Sequence, residues 1–300
     1  MEALNISRES VYRRIRGDIS FALEEIAKLS VELGFSVDEL IMKDMPSRVF
    51  FDLHHTYSQN PVDVFVEISN QCIFNTLDMP HAKNIELIMA VNYIPIEFIV
   101  FFNQLYKFSF YRWMHQNTES SLNYYYSDIT LPDKLVSLQQ KTIDSLKTIQ
   151  NNTFIIDPNI FQNLIQEIQY YYKRKLINED DFTLLKEDLL RLVDMVESIA
   201  QTGFCGSARF NFYLSSLNIN SSSRHIKYDE QIKSQFFVNL TEPINITNPT
   251  LCSFHRKWLD SMRKYSTLIT QSNEILQVRY FDRQRVYVNN IAVIPNGYSL

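Results

Sequence analysis

The residues of this 300-residue chain best suited to covalent or metal chemistry are scattered. Cys205 lies in the run Gly203-Phe204-Cys205-Gly206, where a thiol nucleophile with His225 or His255 as its base is one reading. A buried cysteine in a loop before a strand is the plainer one, and we expect no catalytic residue. His54 and His55 are neighbours and would point to different faces of a helix, so they make poor co-ligands. No H-x-x-E-H or comparable spacing occurs, and no metal is expected. Asp180, Asp181, Glu187 and Asp188 read as a helix cap and a solvated face rather than an acid/base pair. Cys72, Cys205 and Cys252 form no C-x-x-C pair, which suits a reducing cytosol and argues against a disulfide scaffold or zinc ribbon. Only five glycines are present, where average usage near 7% predicts roughly twenty. An AT-rich codon bias is the bland reading of that shortage. No G-x-G-x-x-G, P-loop or G-x-S-x-G elbow can be written, so the expectation is no enzyme and no cofactor.

What remains is charge. A net charge of −5 gives no chain-wide pull toward nucleic acid or anionic lipid, so such contact needs a local basic patch. Residues 8–16 hold Arg8, Arg13, Arg14 and Arg16 against the single acid Glu9. Two other basic groups are Lys173-Arg174-Lys175, after Tyr170-Tyr171-Tyr172, and Arg279, Arg283 and Arg285. Stacking and charge are one use for these. Neighbours on a helix fan out, however, and a solvated face is the plainer reading. Aromatic residues make up 13% of the chain. Core packing is their default, and a pocket for an unknown small planar ligand is the sharper alternative. The first thirty residues carry both signs of charge with no apolar segment, so no signal peptide is read and a cytoplasmic location is expected. The greasiest stretch, residues 85–102, is broken by Glu86, Asn92, Pro95 and Glu97, which excludes a membrane span.

The basic run needs an element to carry it. Ser7 is placed to cap a short helix over residues 8–16 with Val11 and Ile15 inward, and Gly17 ends it. A second helix spans residues 22–33 with Leu23, Ile26, Leu29 and Leu33 on one face, stopped by Gly34. Ser36 then caps a last short helix, with Asp38 and Glu39 in its first turn.

Residues 5–40 resemble the later part of a Cro/repressor-like (XRE-type) helix-turn-helix. Leu4-Asn5-Ile6-Ser7 matches the turn before the recognition helix, residues 8–16 that helix, and Gly17 the glycine after it. Leu23, Glu24, Ile26, Leu29 and Leu33 match the next helix, and Phe35-Ser36-Val37-Asp38-Glu39-Leu40 the ending. The resemblance implies that Arg8, Glu9, Ser10 and Arg13 face the major groove of double-stranded DNA. Arg14 and Arg16 would meet phosphates, with Ser7 at the start of the contact helix. The family's first helix and most of its second have no counterpart before Leu4. The expectation is therefore either a start upstream of Met1 or a remnant scaffolded by the rest of the chain. Because one recognition helix buries little, a homodimer reading two half-sites is expected. The alternative is a protein-interaction or scaffold module with a degenerate helix-turn-helix that does not bind DNA.

Beyond residue 45 the reading is a larger effector or oligomerisation domain, 46–300, with a possible subdivision near 203. Asn60-Pro61 starts a helix over 62–77, while residues 85–113 are ambiguous between strand and helix. Leu135, Leu138, Ile143, Leu146 and Ile149 suit one amphipathic helix, and Asp157-Pro158 opens another through 176. Asn178 caps a third, with Phe182, Leu185, Leu189, Leu192, Val196 and Ile199 inward and Gly203 past its end. Phe210, Phe212 and Leu214 alternate with polar neighbours and, with residues 235–240, predict a small antiparallel sheet. Asn248-Pro249 starts a helix carrying Leu251, Phe254, Trp258, Met262 and Tyr265, and a final helix covers 272–288. The fold class expected is α+β, mostly helical.

Overall fold

The structure is a computed structural model that describes residues 4, 6–33, 36–37, 60–77, 84–117, 124–146, 149–238 and 243–291. The chain divides into two compact units, Met1–Phe51 and Asp52–Leu300. In the first, Arg8–Ile15 (α1) and Leu23–Leu33 (α2) are helical. Gly34, Phe35 and Asp38 to Leu40 of the expected ending, and the His54-His55 pair, lie outside the described residues.

In the second unit the strand Glu86–Val91 (β1) is buried at every position but its first. A strand covered on both faces reads as a continuous apolar run, which is why its sequence left strand and helix undecided. Asn151–Ile156 (β2) runs parallel to β1, and Ala208–Ser215 (β4) runs parallel to β2. On the far side of β1 follow Ser223–Tyr228 (β5), Gln231–Phe237 (β6) and Pro243–Ile246 (β7), each antiparallel to its neighbour. The outer edge of β4 takes two short antiparallel strands, Phe204–Cys205 (β3) and Ser266–Leu268 (β8). The result is a mixed eight-stranded sheet, larger than the small antiparallel one expected. No boundary falls near residue 203, because β2 pairs with β4 across it.

Two crossovers join the parallel strands. Ile96–Ile99 (α4), Asn103–Asn117 (α5) and Asp133–Leu146 (α6) connect β1 to β2, and Ile160–Lys173 (α7) and Glu179–Thr202 (α8) connect β2 to the β3–β4 pair. Right-handed crossovers that step the same way along a sheet place their helices on one face. One core accordingly joins Leu87, Met89, Phe154, Phe210 and Phe212 of the sheet to Leu105, Phe108, Leu164, Ile168, Leu189 and Val193 of the helices. Pro61–Leu77 (α3) and Glu274–Asn289 (α10) add Phe65, Ile68, Tyr280 and Phe281 to it. The opposite face is covered by Pro249–Lys264 (α9), through Leu259 and Met262 on Ile88, Ala90 and Ile155.

Helix α8 follows its sequence closely. The Asn178 side chain accepts the Asp181 amide at 2.8 Å, and Gly203 closes the helix at φ +80, in the left-handed region that a side chain disfavours. Its expected apolar face is buried. One other reading is corrected. Helix α6 stops at Leu146, and Ile149 instead leads into β2, a strand that the sequence reading missed. On α9 Met262 alone of its five apolar residues named above is buried, while Phe254, Trp258 and Tyr265 are exposed. The inward stripe is Cys252, His255, Leu259 and Met262, because the sheet below offers hydroxyls: His255 bonds Ser234 at 2.9 Å and Ser223 at 3.0 Å. Among the described residues no helix is long and apolar enough to cross a membrane.

Candidate functional site

Helix α1 starts where a capping serine permits. Ser7 is extended and its Oγ accepts the Ser10 amide at 3.3 Å. The helix ends in a turn at Gly17, φ +80, whose amide donates to the Arg14 carbonyl while that of Asp18 donates to Arg13 at 2.8 Å. Added bulk at Gly17 would meet nothing within 4 Å, so the backbone dihedral is what calls for glycine. Helix α2 begins with a reach-back: Glu25 Oε2 accepts the Ala22 amide at 3.0 Å. The same carboxylate takes a bidentate pair from Arg14, Nε at 3.0 Å and Nη2 at 2.8 Å. The Arg14 hydrogen bond, then that from Ala22, hold the Glu25 carboxyl below its ordinary pKa.

The seven residues assigned from sequence therefore divide by what holds them. Ser7 is the cap and Ser10 is tied to it. Arg14 is occupied by Glu25 and braces the two helices rather than standing free for a phosphate. Arg16 pairs with Asp18 at 3.2 Å, both exposed. Arg8 lies over the Tyr12 ring, 5.6 Å from its centre. Glu9 and Arg13 are exposed, and among the described residues Arg13 has no carboxylate partner. Arg8, Arg13 and Arg16 can thus reach an anionic surface, Arg13 with both edges of its guanidinium uncommitted among the described residues. The inward faces expected of this pair are corrected. Ile15, Leu23 and Leu33 are exposed and neither helix buries a residue, because two short helices have too little apolar area to cover each other.

In the second unit a cleft of about 500 Å³ opens beyond the carboxyl end of β1. Ligands of open α/β sheets settle at such ends. Asn92 at its base is fixed on three sides. Its amide donates to Ser222 Oγ at 3.1 Å, its Oδ1 accepts from that hydroxyl at 2.8 Å, and its carbonyl accepts from Asn163 at 2.7 Å. Arg112 from α5 is ion-paired with Glu167 from α7 across the cleft. Gln116, Gln166, Tyr93, Tyr170 and Tyr171 complete the lining. Burial pushes the Tyr171 phenol up to about 12, so it stays a neutral donor. The Tyr170-Tyr171-Tyr172 run fans out as a helix requires. The first two face the cleft, and Tyr172 stacks on Phe182 at 3.8 Å.

The groups considered for catalysis do not converge. Cys205 packs into the core shared with the main helical layer, whereas His225 and His255 meet at Ser234, beneath α9. Burial lowers both imidazoles, His255 to about 4, so they are neutral near pH 7. Asp188, expected on a solvated face, is buried and accepts the Gln104 amide at 2.9 Å. Sequence reasoning also missed Glu97 and Arg224, a buried ion pair between α4 and β5. Their sequence separation of 127 leaves no local signal. No group of three or more His, Cys, Asp or Glu that could hold a metal occurs among the described residues.

Compared with models of known families, with curated proteins and with solved structures, the chain gives no match.

Proposed function

We propose that this chain is a transcriptional regulator of the Cro/repressor-like helix-turn-helix type. It binds double-stranded DNA through α1, as a homodimer, and the second unit acts as its effector domain. The observation that carries this reading is the division of labour among the arginines of α1. Arg14 is spent on bracing α2, while Arg8, Arg13 and Arg16 are left on the exposed surface of a helix capped at Ser7 and closed at Gly17. Early residues of a recognition helix meet base edges, where an arginine can bind guanine with two hydrogen bonds. The cleft at Asn92, with its amides, phenols and one ion pair, suits a small polar ligand as the effector.

The test is selection of duplexes from a random-sequence pool by the full chain, followed by anisotropy titrations at low and high salt. Enrichment of a two-fold symmetric site is expected, with affinity falling steeply as salt rises. Arg13→Ala should weaken the selected site by about tenfold or more. No binding at low salt, or equal affinity in Arg13→Ala, would falsify the proposal.

A second reading, a protein-interaction module, draws on the exposed Ile15, Leu23, Val31 and Leu33, apolar side chains that a partner chain would cover. It is the one left standing if no duplex binds.

A further inference from the structure

A second cleft, of about 480 Å³, opens where β2 and β4 end, bounded by Pro158 after β2 and by Leu214 and Ser216 at the end of β4. Helix α10 closes its other side and presents Arg279 and Arg283, one turn apart and both exposed. Among the described residues neither has a carboxylate partner. The contrast lies on the same helix: Arg285 is saturated by Asp194, Glu197 and Asp282. In a chain of net charge −5, two guanidinium groups with no carboxylate partner among the described residues share one cleft, Arg283 lying 6.0 Å from the centre of the Tyr280 ring. The nearby Asp157 carboxylate is engaged by the Asn159 amide at 2.8 Å. Thr267 from β8 and Ser216, two hydroxyl-bearing residues, belong to the same lining. Tyr280, between the two arginines in sequence, is 4% exposed, lines the cleft, and has a hydroxyl with no hydrogen-bond partner among the described residues. Leu214 and Leu276 supply apolar wall.

We propose that this cleft binds a phosphorylated small molecule. Arg279 and Arg283 grip the phosphoryl group, the Ser216 and Thr267 hydroxyls donate to its oxygens, and the rest of the molecule lies against Leu214 and Leu276. Guanidinium groups match phosphate with paired, charge-assisted hydrogen bonds. A volume of this size admits a sugar phosphate or mononucleotide, whereas a concave cleft excludes the convex backbone of a duplex. The position follows the rule that ligands of parallel strands bind at their carboxyl ends. The site is independent of α1 and stands or falls apart from the DNA-binding reading.

Calorimetric titration of the full chain at constant ionic strength tests it, with ribose 5-phosphate, ribose and inorganic phosphate as probes. Saturable one-site binding of ribose 5-phosphate is expected, with competition by inorganic phosphate and none by ribose. The double variant Arg279→Ala/Arg283→Ala should lose about tenfold or more in affinity. Ser216→Asp, which sets a carboxylate at the exposed rim, should do the same. Arg209→Ala, an exposed arginine at the opposite end of β4, should leave binding unchanged. Three results overturn the proposal. One is unaltered binding in the double variant. Another is no saturable binding of either phosphate probe at millimolar concentration. The third is a double variant that loses affinity for duplex DNA alone.

Discussion

The two units organise similar helices by different means. In the α1–α2 pair no residue is buried, and order comes from local devices: a serine cap, a glycine stop and one arginine–glutamate brace. Isolated helices of such length are marginal in water, so those devices carry unusual weight. In the second unit α8 has an equally good cap, but nine of its residues are buried against the helical layer and sheet. There the cap trims an end that packing already holds. The difference teaches where function can sit. Side chains that need not pack remain available, as Arg8 and Arg13 are on α1, and as Arg279 and Arg283 are on the rim of a packed unit.

The largest expected effect lies in the second unit. Glu97→Ala would leave Arg224, 1% exposed, charged and stripped of its buried carboxylate. A loss of about 3–5 kcal/mol in urea unfolding is expected, as for any buried pair broken on one side. A loss under about 1 kcal/mol would show that the pair is wetter than its burial implies.

Next comes pH. The unfolded chain takes up a proton at His255 near the ordinary 6.5, whereas the folded chain resists until about 4. Stability from this group is therefore complete above the ordinary value and is lost as pH falls from 6.5 toward 4. The loss is about 3 kcal/mol. His255→Gln should flatten the pH dependence of the urea midpoint in that window. An unchanged slope would show that the imidazole is hydrated when folded.

The smallest effect compares the two caps. Asn178→Ala should cost about 1 kcal/mol of global stability. Ser7→Ala removes the matching bond from α1 and should be read locally, as faster hydrogen exchange at the Ser10 amide. Equal protection of that amide in both proteins would mean that the cap does not order α1.

Local signals were legible wherever one residue and its near neighbours decide the outcome. Ser7, Gly17, Pro61, Asn178, Gly203 and Asn248 mark helix ends in the sequence, and each stands at an end in the structure. The alternation through Phe210, Phe212 and Leu214 was equally readable, since Asn211 and Tyr213 on the other face are only half-buried. β1 and β2 escaped the same logic because each is buried on both faces and keeps no period of two. The buried face of α9 was not legible for a related reason. Its larger apolar residues point outward, and a histidine and a cysteine fill the seam over Ser223 and Ser234.

Sequence alone could therefore settle helix starts and stops, the basic character of residues 8–16 and the lack of any glycine-rich phosphate loop. Each of these depends on side chains within a few positions of one another. Only the tertiary structure decided that Arg14 is spent on Glu25, that Glu97 finds Arg224, and that Arg279 and Arg283 reach the strand ends with no carboxylate partner among the described residues. Those outcomes depend on which distant segments the sheet and its crossovers bring together, and no local pattern records that.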